Sequence, residues 1–275
     1  MTSADAGAAR AVVLNHVSAV YQDGALTVQA LSDVNLHVLP GEFVSVIGPS
    51  GCGKSTMLGL IAALKHPASG EILVNDVPLD EQSDRVALMP QRDLLLPWRT
   101  VLENVILGPE LRKRNLSEER TKALALMPQF GLSGFADAYP RALSGGMRQR
   151  AALLRTILLQ RDIMLLDEPF GALDALTRIE LQEWLLTICS HLEKTVLFVT
   201  HDVDEAIYLS DRVYLMSSRP GTVRHTARIH LPRPRRRDMT SQPTFVNAKR
   251  DLLEILLHES PSSVETDAVS SETCC

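Results

Sequence analysis

Residues 43–64, FVSVIGPSGCGKSTMLGLIAAL, constrain the fold of this chain more than any other segment. The segment begins with a mostly apolar, β-branched run, continues through a glycine-rich stretch and ends in an apolar helical pattern. Its centre, GPSGCGKST at 48–56, matches the pattern G-x-x-x-x-G-K-[ST], which binds phosphate where a loop joins a strand to a helix. We therefore predict a phosphate-binding loop in an α/β fold, with a ligand-free glycine-rich turn as the alternative.

The residue types of this loop indicate its ligands. Glycines at 48, 51 and 53 allow consecutive backbone N–H groups to point into one concavity, which suits a phosphate group. Lys54 would neutralise the β and γ phosphates, and the Ser55 hydroxyl would ligate Mg²⁺. We expect ATP and Mg²⁺ to be bound there. The predicted nucleotide-binding residues of the loop are Gly48, Pro49, Ser50, Gly51, Cys52, Gly53, Lys54, Ser55 and Thr56.

The remaining patterns define the fold class as α/β. Nearly continuous apolar runs predict strands covered on both faces, at 163–167, 195–200 and 212–217, as in 43–48. Residues 13–38 and 70–77 alternate between apolar and polar side chains, which predicts half-exposed antiparallel strands. Between Leu94 and Leu159 the periodic apolar residues predict only helices. We expect a P-loop NTPase core with a mainly parallel sheet, an amino-terminal antiparallel β subdomain and an inserted helical lobe.

Polar side chains follow several of these strands. Asp167 ends a buried strand at the sheet edge where ligands bind, so we expect it in the Mg²⁺ shell. Glu168 comes next and would accept a hydrogen bond from the attacking water. His201 would reach a γ-phosphate oxygen or hold that water, and the Gln91 amide oxygen would touch Mg²⁺. Taken alone, these residues have plain structural alternatives: a carboxylate pair at a helix start, a single histidine and a loop glutamine.

A second phosphate contact is predicted by LSGGMRQR, residues 143–150. Ser144, Gly145 and Gly146 open a predicted helix there. A helix amino terminus with flanking glycines offers N–H donors and a favourable dipole to an anion.

These motifs, in this order, resemble the nucleotide-binding subunit of an ABC transporter over about residues 14–217. The resemblance implies that GPSGCGKST is Walker A, Gln91 the Q-loop, LSGGMRQ the signature, LLDE Walker B, GALD the D-loop and His201 the switch histidine. It also implies that Tyr21 stacks on the adenine.

The same resemblance implies a head-to-tail dimer of two copies of this chain. Ser144, Gly145 and Gly146 of one subunit would cover the γ-phosphate held by Lys54 of the other. Met147 and Gly171 depart from the more usual LSGGQ and SALD. Neither position supplies the phosphate donors or the water-polarising carboxylate, so the departures bear on the dimer contact and not on hydrolysis.

Two further strings resemble one importer subfamily. LLPWRTVLENVILGPE at 95–110 and LDALTRIELQEWLL at 173–186 are similar to ATPases of nitrate, sulfonate and taurine importers, a subfamily that also includes transporters of cyanate, bicarbonate and thiamine-precursor pyrimidines. The resemblance implies that ATP hydrolysis powers uptake of a small solute. It further implies permease subunits contacted near Trp98, a solute-binding protein acting through the permease, and a peripheral place at the cytoplasmic face of the membrane.

Composition limits the alternatives. No apolar run approaches the roughly 20 residues needed to cross a bilayer, and a net charge of −5 argues against a general nucleic-acid surface. A soluble ABC ATPase acting on nucleic acid or ribosomes is the main rival, but the chain has neither a long coiled-coil insertion nor a second cassette. A nonenzymatic binding module is a further alternative, which Glu168 and His201 disfavour. We therefore expect no nucleic-acid partner.

The predicted domain plan places a single ATPase domain at 12–232, with its helical lobe at about 94–159. A basic loop and helix would follow at 233–259, and a disordered tail at 260–275. The loop arginines, Arg233, Arg235, Arg236 and Arg237, predict a solvated loop, with anionic lipid headgroups as the alternative partner. FVNAKRDLLEILLH at 245–258 predicts a packing helix, and Cys274 and Cys275 are expected to be unmodified thiols.

Overall fold

The computed structural model of the protein describes residues 9–24, 26–79 and 85–258. Within these residues the strands are β1 (Val12–Asp23), β2 (Leu26–Val38), β3 (Phe43–Ile47), β4 (Ser69–Val74), β5 (Val77–Pro78), β6 (Val86–Met89), β7 (Ile163–Asp167), β8 (Thr195–Val199), β9 (Arg212–Met216) and β10 (Val223–Arg228). The α-helices are α1 (Lys54–Ile61), α2 (Val101–Val105), α3 (Leu107–Leu111), α4 (Leu116–Leu126), α5 (Gly145–Leu158), α6 (Ala175–His191), α7 (Val203–Leu209) and α8 (Pro243–His258). Short 3₁₀ helices are Met127–Phe130, Pro140–Ala142 and Arg237–Ser241.

The larger sheet has the strand order β10-β9-β3-β8-β7-β6. β3, β7, β8 and β9 are buried along their whole length, because their apolar runs are covered on both faces. All pairings are parallel except that of β10, which adds an antiparallel edge that the sequence did not predict. The predicted mainly parallel α/β core is confirmed.

Strand register brings the functional loops to one edge of this sheet. Val199 near the end of β8 pairs with Val46 of β3 and with Asp167 of β7. The chain therefore leaves these three parallel strands at the same edge, which is where open α/β sheets place their ligands.

The amino-terminal strands form a separate antiparallel sheet in the order β2-β1-β4-β5. Its apolar face packs with α1 against one side of the larger sheet, through buried residues such as Leu14, Val34, Leu58 and Leu165. The opposite side of the larger sheet carries the remaining helices, in a second apolar cluster that includes Phe130, Leu154 and Phe198. The predicted antiparallel subdomain and helical region are both present.

The helical region between β6 and β7 is defined by local side-chain hydrogen bonds. Thr100 and Glu103 form a capping box at the start of α2. The buried Asn104 amide binds the loop before α2: its oxygen accepts from the Leu96 N–H, and its nitrogen donates to the carbonyls of Leu96 and Arg99. Trp98 lies in this loop, so the backbone on both sides of Trp98 is hydrogen-bonded to the buried Asn104 side chain.

Two arginines of the predicted basic loop are bound to the core, and one of them is buried. Arg233 makes two hydrogen bonds of 2.9 Å to the Asp211 carboxylate, and Arg235 donates to the Ser210 carbonyl at 2.8 Å. Burial lowers the pKa of Arg235 to about 10. The expectation of a solvated loop is therefore wrong for Arg235, because the turn before β9 offers acceptors that its guanidinium reaches; Arg236 is exposed.

Helix α8 follows this loop and packs against α7, with Phe245 and Leu252 buried. In the part of the chain that the structure describes, no helix is long and apolar enough to cross a membrane. The predicted tail at 260–275, with Cys274 and Cys275, lies outside the described residues.

Candidate active site

The phosphate loop lies between β3 and α1, as predicted. Gly53 caps α1 with φ 105°, a conformation that side chains with a Cβ rarely adopt. A Cβ there would also lie 2.6 Å from a Leu31 side-chain carbon and 2.8 Å from the Ala30 carbonyl oxygen. Strand β2 therefore presses against the loop, and only glycine fits at this position.

Lys54 begins α1 and is buried. Its ammonium donates to the carbonyls of Gly48 at 2.8 Å and Pro49 at 2.9 Å, so it spans the loop. Cys52 is buried beneath it, with Sγ 3.8 Å from Nζ, whereas Ser50 is exposed. The loop thus concentrates one positive charge and several backbone N–H groups, which suits a polyphosphate.

Asp167 ends β7 beside this loop. Its buried carboxylate accepts a hydrogen bond from Ser55, the first hydroxyl of α1. Burial raises the pKa of Asp167; Ser55 opposes that shift, the neighbouring Glu168 adds to it, and Lys54 opposes it. The Asp167 carboxylate and the Ser55 hydroxyl therefore form a compact pair of hard oxygen donors.

Two other predicted site residues, Gln91 and His201, both contact the Glu168 carboxylate. Gln91 Nε2 donates to its Oε2 at 3.1 Å, and His201 Nδ1 lies 3.3 Å from its Oε1. These three residues leave β6, β7 and β8, neighbouring parallel strands whose carboxyl ends share an edge. A carboxylate, an amide and an imidazole therefore converge near the phosphate loop.

The backbone of Glu168 is strained and firmly held. Its φ is 47°, which is uncommon for a residue with a side chain and costs on the order of 1–3 kcal/mol. Its N–H donates to the Val199 carbonyl at 2.9 Å, and its own carbonyl accepts from Gly171 N–H at 3.2 Å and Gln149 Nε2 at 3.4 Å. These contacts fix the direction in which the carboxylate leaves the strand.

The signature residues lie at the start of α5. The exposed Ser144 caps this helix by accepting from the Met147 N–H at 3.2 Å, and Gly145 follows it. Gln149 of the same helix reaches the Glu168 carbonyl. The structure therefore joins the signature helix to the Glu168 turn through Gln149, a residue that sequence reasoning did not single out.

Tyr21 of β1 lies beside α1. Its hydroxyl donates to Thr56 Oγ1 at 3.2 Å, and Lys65 Nζ lies 4.2 Å from its ring centroid. Lys65 also donates to the Tyr21 hydroxyl at 3.0 Å. No sequence pattern indicated Lys65, because its contact with β1 depends on how α1 packs against the antiparallel sheet.

Gly221, after β9, supports the phosphate loop from behind and was also missed. Its N–H donates to the Ala30 carbonyl, and a Cβ built on it would lie 1.9 Å from the Cys52 carbonyl oxygen. Arg219, two residues earlier, donates to the Gly51 carbonyl at 3.2 Å. The loop is therefore enclosed by β2 and by the turn after β9.

We expect Gly221→Ala to lower both the Tm and the affinity for ATP, because the new methyl group must displace the Cys52 backbone. Gly59→Ala is the matched control: Gly59 lies inside α1 with open space around it, so alanine should be neutral or stabilise by about 0.5–1 kcal/mol. Thermal unfolding and titration with a fluorescent ATP analogue measure the two effects. A folded Gly221→Ala protein with wild-type ATP affinity would show that the loop tolerates displacement.

The family model described as ABC transporter matches residues 31–171. These residues contain the phosphate loop, the signature helix and the carboxylate pair described above. The chain belongs to the ABC transporter family. As an ABC ATPase it binds and hydrolyses ATP, and the resemblance noted from its motifs is confirmed.

Individual relatives agree with this assignment. The chain is 44% identical over 246 residues to an uncharacterized ABC transporter ATP-binding protein of Methanocaldococcus jannaschii, covering 90% of this chain and 91% of the relative. It is 42% identical over 230 residues to an aliphatic sulfonates import ATP-binding protein of Bacillus cereus, covering 84% and 90%. It is 43% identical over 250 residues to a nitrate import ATP-binding protein of Synechococcus elongatus, covering 89% of this chain but 38% of that longer protein.

Solved structures give the same fold. A dimeric ATP-binding cassette in a post-hydrolysis state, bound to ADP and Pi, superposes with a TM-score of 0.73 and 34% sequence identity. The match covers 80% of this chain and 100% of that one. A second solved ABC transporter cassette, also dimeric, superposes with a TM-score of 0.73 and 33% sequence identity.

Proposed function

We propose that this ABC ATPase powers a membrane importer for a small solute, an anion such as nitrate, a sulfonate or taurine. The single observation that carries the proposal is the similarity, over most of the chain, to nitrate and aliphatic sulfonates import ATP-binding proteins. The convergence of Gln91 and His201 on Glu168 supports it, since an energy-coupling subunit needs a complete hydrolytic site. Nothing favours the alternative of action on nucleic acid or ribosomes.

In the proposed site, the loop from Gly48 to Thr56 holds the phosphates and Lys54 neutralises the β and γ groups. The hydrogen-bonded Ser55 and Asp167 fit Mg²⁺, because both offer oxygen ligands, and the Gln91 amide oxygen would complete the protein's share. When bound, Mg²⁺ adds positive charge against the phosphate oxygens. Tyr21 would stack on the adenine.

Glu168 carries the proposed chemical role. Its carboxylate accepts a hydrogen bond from the attacking water, which becomes a better nucleophile toward the γ-phosphorus as its proton is drawn away. His201 donates to a γ-phosphate oxygen or holds the same water. The strained, multiply bonded backbone at Glu168 supports this role, because it keeps the carboxylate in a fixed direction.

The proposed active form is a head-to-tail dimer of two copies of this chain. Ser144, Gly145 and Gly146 of one copy would cover the γ-phosphate held by Lys54 of its partner. Ser144 and Gly145 are exposed at the start of α5 and Gly146 is half-buried there, which supports this proposal because N–H groups at a helix start suit an anion.

Permease subunits are the proposed membrane partner, with a solute-binding protein acting through them at the other face. The proposed docking surface is centred on Trp98, whose side chain is exposed although its loop is held by Asn104. The segment between β6 and α2, which contains Trp98, also contacts the signature helix α5. The Asp93 carboxylate binds Arg148 at 3.0 Å, and the Asp93 carbonyl accepts from Arg155. Movement at Trp98 would therefore reach both Gln91 and α5.

We expect Trp98→Asp to uncouple the ATPase from its permease while leaving the basal ATPase rate of the isolated subunit within about twofold, since surface substitutions rarely disturb folding. Reconstitution with the permease in proteoliposomes would measure solute-stimulated ATP hydrolysis and uptake. Leu192→Asp, at another exposed apolar site at the end of α6, is the control and should remain coupled. Copurification of nucleic acid or ribosomes instead of a permease would contradict the importer proposal.

The domain plan also remains a proposal. We propose an ATPase domain at 12–232 with its helical lobe at about 94–159, followed by the basic loop and helix at 233–259. The start of β1 at Val12 and the helices from α2 to α5 support these boundaries. By analogy with importer ATPases, the protein would act peripherally at the cytoplasmic face of the membrane.

A further inference from the structure

The loop that carries His201 is held from behind by the first turn of α7. Thr200, before His201, donates its hydroxyl to Glu205 Oε2 at 2.7 Å and accepts from the Asp202 N–H at 3.0 Å. Asp202 caps α7 by accepting from the backbone N–H groups of Asp204 and Glu205. Both neighbours of His201 in the chain therefore have fixed partners, although the imidazole itself is largely exposed.

Glu205 extends this arrangement to a second helix. Its other oxygen, Oε1, accepts from Gln182 Nε2 at 3.1 Å and lies 3.7 Å from Arg178 Nε. Arg178 also lies 3.8 Å from Asp202, through Nη1. Gln182 and Arg178 belong to α6, the helix that begins directly after GALD. One carboxylate thus joins the His201 loop to the helix after the D-loop.

Burial makes this carboxylate dependent on its partners. Glu205 is only 8% exposed, and desolvation raises its pKa, which the Thr200 hydrogen bond and the Arg178 charge oppose. A buried carboxylate is tolerated where its oxygens are hydrogen-bonded, and removal of one partner leaves the others buried and unpaired. The contacts of Glu205 therefore restrict the loop to one arrangement more tightly than apolar packing would.

We infer that Glu205 is a positioning residue of the ATPase site, which acts through Thr200 to keep His201 beside Glu168 and links that position to α6. The inference rests on the proposed role of His201 in hydrolysis. The side-chain partners of Glu205 are Thr200, Gln182 and Arg178, none of which belongs to the phosphate loop. Loss of Glu205 should therefore change the rate of the chemical step more than the binding of ATP.

The test uses the full-length chain and the pair Thr200→Val and Thr200→Ser. Valine keeps the shape of threonine but removes the hydroxyl that binds Glu205, whereas serine keeps it. We expect Thr200→Val and Glu205→Ala to lower kcat by about tenfold or more, since a 1 Å misplacement of a catalytic group can cost about 10²-fold. The KM for ATP should stay within about twofold, and Thr200→Ser should restore most of kcat. The ¹H–¹⁵N signals of the His201 ring should shift in the valine variant and not in the serine variant.

Glu42→Ala separates positioning from loss of stability. The Glu42 side chain is 11% exposed, burial also raises its pKa, and it binds Arg212 at 2.9 Å. Glu42 precedes β3, at the end of the sheet opposite the phosphate loop. Its variant should lose Tm as Glu205→Ala does, and keep kcat within about twofold per folded molecule. His201→Ala tests the underlying role.

The outcomes are distinguishable. If His201→Ala leaves kcat unchanged, the proposed role of His201 fails. If His201→Ala lowers kcat but Thr200→Val and Glu205→Ala lower only Tm, as Glu42→Ala does, the positioning role of Glu205 is overturned. If the valine variant loses kcat with an unshifted His201 signal, Thr200 acts by another route and the inference is again overturned.

Discussion

Glu168→Gln is expected to retain ATP binding and to lower the rate of hydrolysis by about 10²–10⁴-fold, the usual contribution of general acid–base catalysis. The carboxamide keeps the shape of the side chain and leaves Lys54 and the phosphate loop unchanged. Its oxygen is a far weaker base, however, and when this oxygen accepts from Gln91 the NH₂ group takes the other carboxylate position, beside His201. The water would therefore lose its acceptor while the nucleotide stays bound.

Single-turnover hydrolysis of radiolabelled ATP and equilibrium binding of the same nucleotide measure the two properties separately. Glu71→Gln, the same chemical change at an exposed position of β4, is the control and should hydrolyse ATP at the wild-type rate. Substantial turnover by Glu168→Gln would remove the carboxylate from the catalytic role and leave His201 as the group that orients the water.

Two inactive variants are expected to restore activity when they are mixed, if the active sites are shared between subunits. Lys54→Ala removes the charge that binds the phosphates, and Ser144→Arg puts a long side chain at the start of α5. Each variant alone should lose at least about 10²-fold in ATPase rate, as expected when a preorganised contact to the reacting group is lost. In a mixed head-to-tail dimer, one of the two sites combines an intact Lys54 with an intact Ser144.

At equal concentrations about half of the dimers are mixed, and each mixed dimer has one of its two sites intact. The mixture should therefore reach about a quarter of the wild-type rate. Lys54→Ala mixed with Glu168→Gln is the control, because both residues belong to the same half of a shared site and no intact site can form. Light scattering would verify that the subunits exchange. Recovery in neither mixture, with exchange verified, would mean that each chain completes its own site.

The positions of the proposed catalytic residues were predictable because each of these residues stands in a local pattern. Lys54 follows a glycine-rich loop between a strand and a helix, and Glu168 and His201 follow buried apolar runs, so the parallel sheet brings them to one edge. The convergence of Gln91 and His201 on Glu168 follows from the strand order, in which β6, β7 and β8 are neighbours. Local pattern and family together were enough for the centre of the site.

The supporting residues could not be predicted in the same way. Gly221 contacts the phosphate loop, and Lys65 contacts Tyr21, only because distant segments of the chain pack together. β10 was missed because its sequence, VRHTAR, shows little of the alternation typical of an exposed strand. Glu205 and Arg235 have charged side chains that sequence reasoning assigns to solvent. Whether such a charge is buried depends on acceptors and donors elsewhere in the fold, here Thr200 for one residue and Ser210 for the other.

The burial of Arg235 also bears on how far this protein can be shortened. All of the proposed site residues precede residue 232, so a chain ending there would contain the whole proposed active site. It would nevertheless leave the Asp211 carboxylate without Arg233 and the Ser210 carbonyl without Arg235, at the turn that joins α7 to β9. Protein engineering that transplants this ATPase, or fuses another domain to it, should therefore make the junction after α8.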